Sequence, residues 1–218
     1  MISLTLDQKR AGPPEILCLG AHSDDIEIGC GGTVLRLVRQ YPGCILHWVV
    51  FSAIGARADE ARRGAELFGC GADLREPLLK TFRDSFMPFV GAEVKAVFEE
   101  LKQTVSPDLI LTHRGRDDAH QDHRLIAELT WNTFRDHFIL EYEIPKYDGD
   151  MGQPNFFVPL DKEPCERKVQ YLMEVFESQR RKRWFEPDTF LGLMRLRGME
   201  CNAPSGYAEA FYCRKLVF

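Results

Sequence analysis

The sequence predicts a single α/β domain of Rossmann-like type, with a mainly parallel sheet flanked by helices on both faces. Three observations carry this. Short apolar runs alternate with segments of helical periodicity. Gly69, Gly71, Pro107 and Pro145 punctuate that alternation where one element should give way to the next. A chain of 218 residues with 44% hydrophobic content can also bury one core of this size. Residues 1–218 are read as one domain without an internal repeat.

The elements follow in order. Residues 16–20, Ile-Leu-Cys-Leu-Gly, form the first strand, an apolar run suited to burial on both faces. A helix over 32–40, a strand over 45–52 and a helix over 56–68 come next. Residues 74–79 can add a strand, and 81–88 reads as a loop or short turn at the rim. A helix over 90–105, a strand over 109–112, a helix over 122–135 and a strand over 138–143 continue the alternation. The stretch 146–164, which contains Asp148-Gly149-Asp150, lacks periodicity and reads as a loop near the pocket mouth. Helices over 161–182 and 187–197 and a closing strand over 208–218 complete the domain.

Two polar clusters sit where a strand gives way to a helix, Ala21-His22-Ser23-Asp24-Asp25 and His120-Gln121-Asp122-His123. Open α/β sheets bind ligands at that position. A catalytic zinc takes three imidazole or carboxylate ligands and keeps a place for water, while hydrolysis needs a further carboxylate to accept the water's proton. His22, Asp25 and His123 can supply the two-His, one-carboxylate set. Asp24 is then left as a base, and His120 and Asp122 for orientation and charge stabilisation. Taken alone, an Asp-Asp pair after a strand is more often a helix N-cap with a first-turn acid; the two clusters together favour the metal reading.

At these residues the chain resembles the PIG-L/LmbE-like zinc-dependent N-deacetylases. Their first motif is usually Ala-His-Pro-Asp-Asp followed by a Gly-Gly pair, and their second is His-x-Asp-His. Residues 21–32 match the first, with Ser23 in place of proline, and 120–123 match the second. Gly206-Tyr207-Ala208-Glu209-Ala210-Phe211 is similar to a late Ala-Glu-Ala-Phe segment. The resemblance implies that His22, Asp25 and His123 bind zinc and that Asp24 is the general base. It further implies that His120 stabilises the tetrahedral intermediate and that Asp122 buttresses a histidine. Some members carry tyrosine two residues before the second motif, where this chain has Asp118. The implied reaction is hydrolysis of an N-acetyl amide by zinc-activated water, on an N-acetylglucosamine-type sugar or conjugate. Protonated His120 would donate to the oxyanion, and Asp24 would return its proton to the leaving amine.

The remaining composition narrows the classes. A net charge of −5 argues against nucleic acid as a partner. No apolar stretch reaches the eighteen or more residues of a membrane span, and residues 1–14 lack the apolar region of a secretory signal, so a cytoplasmic location is expected. The seven cysteines include no C-x-x-C pair and read as reduced packing residues. Gly29-Cys30-Gly31-Gly32 lacks the G-x-G-x-x-G spacing of dinucleotide binders. Arg114 and Arg116, in the second motif's loop, are candidates to grip a substrate phosphate or carboxylate. Trp184 is the candidate for stacking on a sugar, although Phe176, Trp184, Phe185 and Phe190 more often pack a helical layer. The basic run 180–183 most simply suits a helix C-terminus. Glu27, His47, His113 and His137 have ordinary readings, and only His113 lies near enough to the second motif to draw attention. A His/His/Asp site also accepts iron or cobalt. A metal-dependent phosphoesterase and a noncatalytic metal-binding partner protein are the alternatives.

Overall fold

The computed structural model describes residues 12–217. Its strands are β1 (Glu15–His22), β2 (Ile45–Ser52), β3 (Asp73–Leu74), β4 (Leu78–Leu79), β5 (Leu109–His113), β6 (Ile139–Tyr142), β7 (Phe156–Leu160) and β8 (Tyr207–Tyr212). Its helices are α1 (Asp25–Gln40), α2 (Ala56–Phe68), α3 (Gly91–Thr104), α4 (Gln121–Thr133), α5 (Lys162–Val175) and α6 (Pro187–Glu200). The strands form one sheet in the order β3-β2-β1-β5-β6-β8-β7, with β4 also on β2. Pairing is parallel from β3 through β6. The last two strands are antiparallel. The expected α/β class with a mainly parallel sheet is therefore observed.

Strand periodicity splits the core as the class requires. Ile16 and Cys18 of β1 face one apolar cluster with residues of α1, α2 and α5, while Leu17 and Leu19 face the other, with residues of α3 and α4. Helices thus cover both faces. After β1 the chain builds outward to β2 and the edge, then returns to place β5 on the other side of β1. That reversal is a topological switch point, and it opens a crevice at the carboxyl ends of β1 and β5.

Four expectations about elements are corrected. α1 begins at Asp25 rather than 32, with one non-helical residue, Cys30, at φ −143° and ψ 15°. Gly29, Gly31 and Gly32 do not mark a break before the helix; they let it approach its neighbours, because a Cβ on Gly29 would stand 2.1 Å from the Tyr142 ring and one on Gly31 2.4 Å from Phe68. The stretch read as one loop contains β7, whose Pro159 is tolerated on a sheet edge. The helix expected over 161–182 ends at Val175 and is followed by a 3-10 turn at Glu177–Gln179, while β8 stops at Tyr212.

Gly29→Ala would drive Tyr142 from its place, where its hydroxyl donates to Leu19 O at 2.6 Å and its ring lies against His113. We expect a loss of about 1–3 kcal/mol from overpacking, measured as a lower urea midpoint with unchanged slope.

Candidate metal centre

The crevice collects side chains from four segments. The end of β1, the turn after it and the start of α1 bring His22, Asp24 and Asp25, all buried. The end of β5 brings His113, and the first turn of α4 brings His120, Asp122 and His123. The segment between β4 and α3 adds Asp84. Asp25 is the hub. Its Oδ2 accepts from the backbone N–H of His22 at 2.7 Å and faces His22 Nδ1 at 3.2 Å, His113 Nε2 at 3.1 Å and His123 Nε2 at 3.5 Å.

The donor atoms of His22, Asp25 and His123 lie within 4.8 Å of one another. Tetrahedral ligands about 2.0–2.1 Å from zinc stand roughly 3.3–3.4 Å apart, so the nitrogen-to-Asp25 separations fit a shared cation. The charge pattern agrees. Burial works against a charged His22, yet Asp25 on one nitrogen and Asp122 and Asp84 on the other hold its pKa well above the ordinary range. Burial and the neighbouring His113 push His123 down to about 4, which leaves it neutral, as a metal ligand must be.

Outer contacts fix these groups. Asp122 Oδ2 lies 3.3 Å from His22 Nε2, the relation expected of a carboxylate that buttresses a histidine. Asp122 is itself held by the backbone N–H groups of Ser85 at 2.7 Å and Met87 at 3.2 Å. Ser85 has a φ of 66°, a conformation few non-glycine residues adopt, and this aims its amide at Asp122. Asp118 Oδ2 lies 3.1 Å from His123 Nδ1, while its Oδ1 accepts from the His120 amide at 2.8 Å and faces Lys146 Nζ at 3.3 Å. Asp118→Asn is expected to weaken metal binding by about 10–100-fold while leaving the fold intact; titration against a chromophoric chelator measures it.

Asp24 stands apart from the three donors. Burial and then the adjacent Asp25 raise its proton affinity, against Arg57, whose Nη2 reaches Asp24 Oδ1 at 3.2 Å. The other arm of Arg57 reaches Asp84 at 3.1 Å. His120 caps α4, its Nδ1 accepting from the Asp122 amide at 3.2 Å. That bond places the proton of a neutral ring on Nε2. Burial and the nearby His22 push His120 below its usual pKa, and in the neutral ring this bond implies, Nε2–H remains free to donate.

The expected substrate contacts fare differently. Arg114, a candidate to grip an anion, is buried, donating to Asp150 O at 2.6 Å and lying 3.5 Å from Asp117. Arg116 is exposed. Trp184 is half-buried, edge-on to Phe185 with Lys182 Nζ 5.4 Å from its ring centroid, while Phe176, Phe185 and Phe190 are core. Sequence reasoning missed Asp84 and Arg57 and gave Asp118 no ligand-orienting role. Arg57 left no motif; the polar residues of 81–88 were the only trace of Asp84. The cysteines are free thiols, and Cys30 donates to Ile26 O at 3.2 Å rather than joining the centre. No helix among the described residues is long and apolar enough to cross a membrane.

Residues 17–134 match the family PIG-L, described as GlcNAc-PI de-N-acetylase. The chain is 28% identical over 154 residues to the uncharacterized deacetylase YaiS of Escherichia coli K12, covering 65% of this chain and 78% of that protein. It is also similar in structure to the N,N'-diacetylchitobiose deacetylase of Pyrococcus horikoshii, with a TM-score of 0.68, 18% identity, and 92% of this chain and 84% of that one covered. GalB of Pseudomonas putida KT2440, the 4-carboxy-2-hydroxymuconate hydratase, gives a TM-score of 0.71 at 17% identity over 94% of this chain and 98% of that one. The structural likenesses show a shared fold.

Proposed function

This chain belongs to the PIG-L family, and from that premise we propose that it is a zinc-dependent N-deacetylase of N-acetylglucosamine-type sugars or sugar conjugates, working in the cytoplasm. The observation that carries the reading is the convergence of His22, Asp25 and His123 beside a carboxylate, Asp24, that none of them needs. The P. horikoshii protein named for diacetylchitobiose supports the substrate class.

His22, Asp25 and His123 would hold the cation. When bound, it supplies Lewis-acid polarisation of the acyl oxygen and a lower pKa for water. Asp24 takes the proton of the attacking water; its burial raises its proton affinity and Arg57 fixes its direction. The Nε2–H of His120 donates to the developing oxyanion, as a neutral imidazole can. Asp24 then returns its proton to the leaving amine. Asp122 holds His22 and Asp118 holds His123, so neither ring swings as charge moves. Arg116 and Trp184 are the contacts proposed for the rest of the substrate.

The test is product analysis with zinc-loaded protein on a panel of N-acetylated sugars, their nucleotide-linked forms and simple phosphate esters. Acetate with a free amine is expected. Phosphate without acetate would point to a phosphoesterase, and bound zinc with neither product to a binding protein.

A further inference from the structure

Glu209, in the Ala-Glu-Ala-Phe segment of β8, takes no part in the chemistry above, yet it is a buried carboxylate. Its Oε1 accepts from Gly32 N at 2.9 Å and its Oε2 from Thr33 N at 2.6 Å. Lys168 of α5, also buried, donates to Glu209 Oε1 and to Ile28 O, both at 2.6 Å. In an unbroken helix Ile28 O and Gly32 N would be partners. These contacts straddle Cys30, where α1 leaves helical geometry.

The second piece of α1 therefore has its first free N–H groups capped by a side chain from the sheet. The first piece has a carbonyl capped by a lysine from a neighbouring helix. No room exists for a bulkier splice, since a Cβ on Gly32 would stand 2.6 Å from Leu160 and 3.0 Å from Glu209. The first piece is barely one turn, tied by Ile28 N to Asp24 O at 3.0 Å, and it carries Asp25 with Asp24 at its head.

We infer that Glu209 and Lys168 are positioning residues of the metal centre, joining the two pieces of α1 so that the short first piece holds Asp24 and Asp25 at fixed angles to His22 and His123. This rests on the reading of Asp25 as a ligand and Asp24 as the base. Neither side chain is among the groups gathered around Asp25, so their loss is expected to act on metal affinity and turnover and to spare KM.

The test compares Glu209→Gln, Lys168→Met and the double variant with Leu101→Ala, a core truncation at the far end of α3 that serves as a control for stability alone. Thermal melts, zinc affinity by chelator competition, kcat and KM are read on each. Either single variant is expected to lower zinc affinity and kcat by about tenfold each, with KM little changed. The double variant should lose no more than the worse single one, because both act through one break. Amide exchange in the peptide spanning 24–34 should quicken in both, and in Leu101→Ala it should not. If one variant fails to fold, the other decides. Variants that melt earlier, as Leu101→Ala does, yet keep wild-type zinc affinity and kcat overturn the inference alone. A wild-type protein that binds no zinc overturns the functional reading beneath it, and the inference with it.

Discussion

Asp24→Asn is expected to bind zinc as the parent does and to lose about 10²–10⁴-fold in kcat, the usual contribution of a positioned general base. The two effects separate because Asp24 is not among the three converging donors. Asparagine keeps the shape of the side chain and an oxygen for Arg57 Nη2, now 3.2 Å from Asp24 Oδ1, so the rim should stay in place. It removes the ability to take a proton and give it back, and under the proposed mechanism, in which one carboxylate serves both halves of the reaction, no second group compensates. KM should change little. A variant within about tenfold of the parent would move the base elsewhere, with Asp84, an exposed carboxylate that also faces His22, the candidate.

Asp25→Ala should fail at the earlier step. Four nitrogens converge on Asp25 Oδ2, from the His22 amide and the rings of His22, His113 and His123. Burial alone would favour a neutral acid here, but His123, His113 and His22 hold the carboxyl well below its usual range, so it is the fixed negative charge of the centre. Its removal takes away one of three donors and the charge that gathers the other two. Outer contacts of a metal ligand are typically worth about 10–100-fold in affinity, so loss of the ligand itself should exceed the effect of Asp118→Asn. The protein should purify with little metal, and added zinc should not restore turnover. Parental metal content in Asp25→Ala would show that the ion sits elsewhere, with Asp84, His120 and Asp122 beside His22 the other grouping among the described residues.

How far the sequence revealed this centre depended on the range of the constraint. His22 and Asp25 come from one turn and His120, Asp122 and His123 from another, so metal chemistry stamps a local spacing that can be read directly. Asp84 and Arg57 reach the site only because distant segments fold over it. An acid in a rim turn and an arginine at a helix start look like solvated residues until the tertiary structure joins them. Asp118 was visible as a departure from a familiar pattern, and its bond to His123 gives it a role. The helix expected from residue 32 begins at Asp25, and the glycines in its first turns are held against Tyr142 and Phe68, contacts that only the tertiary structure shows. β7 escaped although Phe156-Phe157-Val158 is apolar, because Pro159 inside it and the Gly- and Pro-containing stretch before it read as loop.

The central claim is a hydrolytic zinc site in an N-deacetylase, and the most direct measurement is acetate release from an N-acetylglucosamine conjugate by protein stripped with a chelator and titrated with zinc. Activity should be absent in the stripped protein and return in proportion to added metal, levelling off near about one ion per chain, as a three-ligand catalytic centre requires. Acetate release that is undiminished in the stripped protein would contradict it.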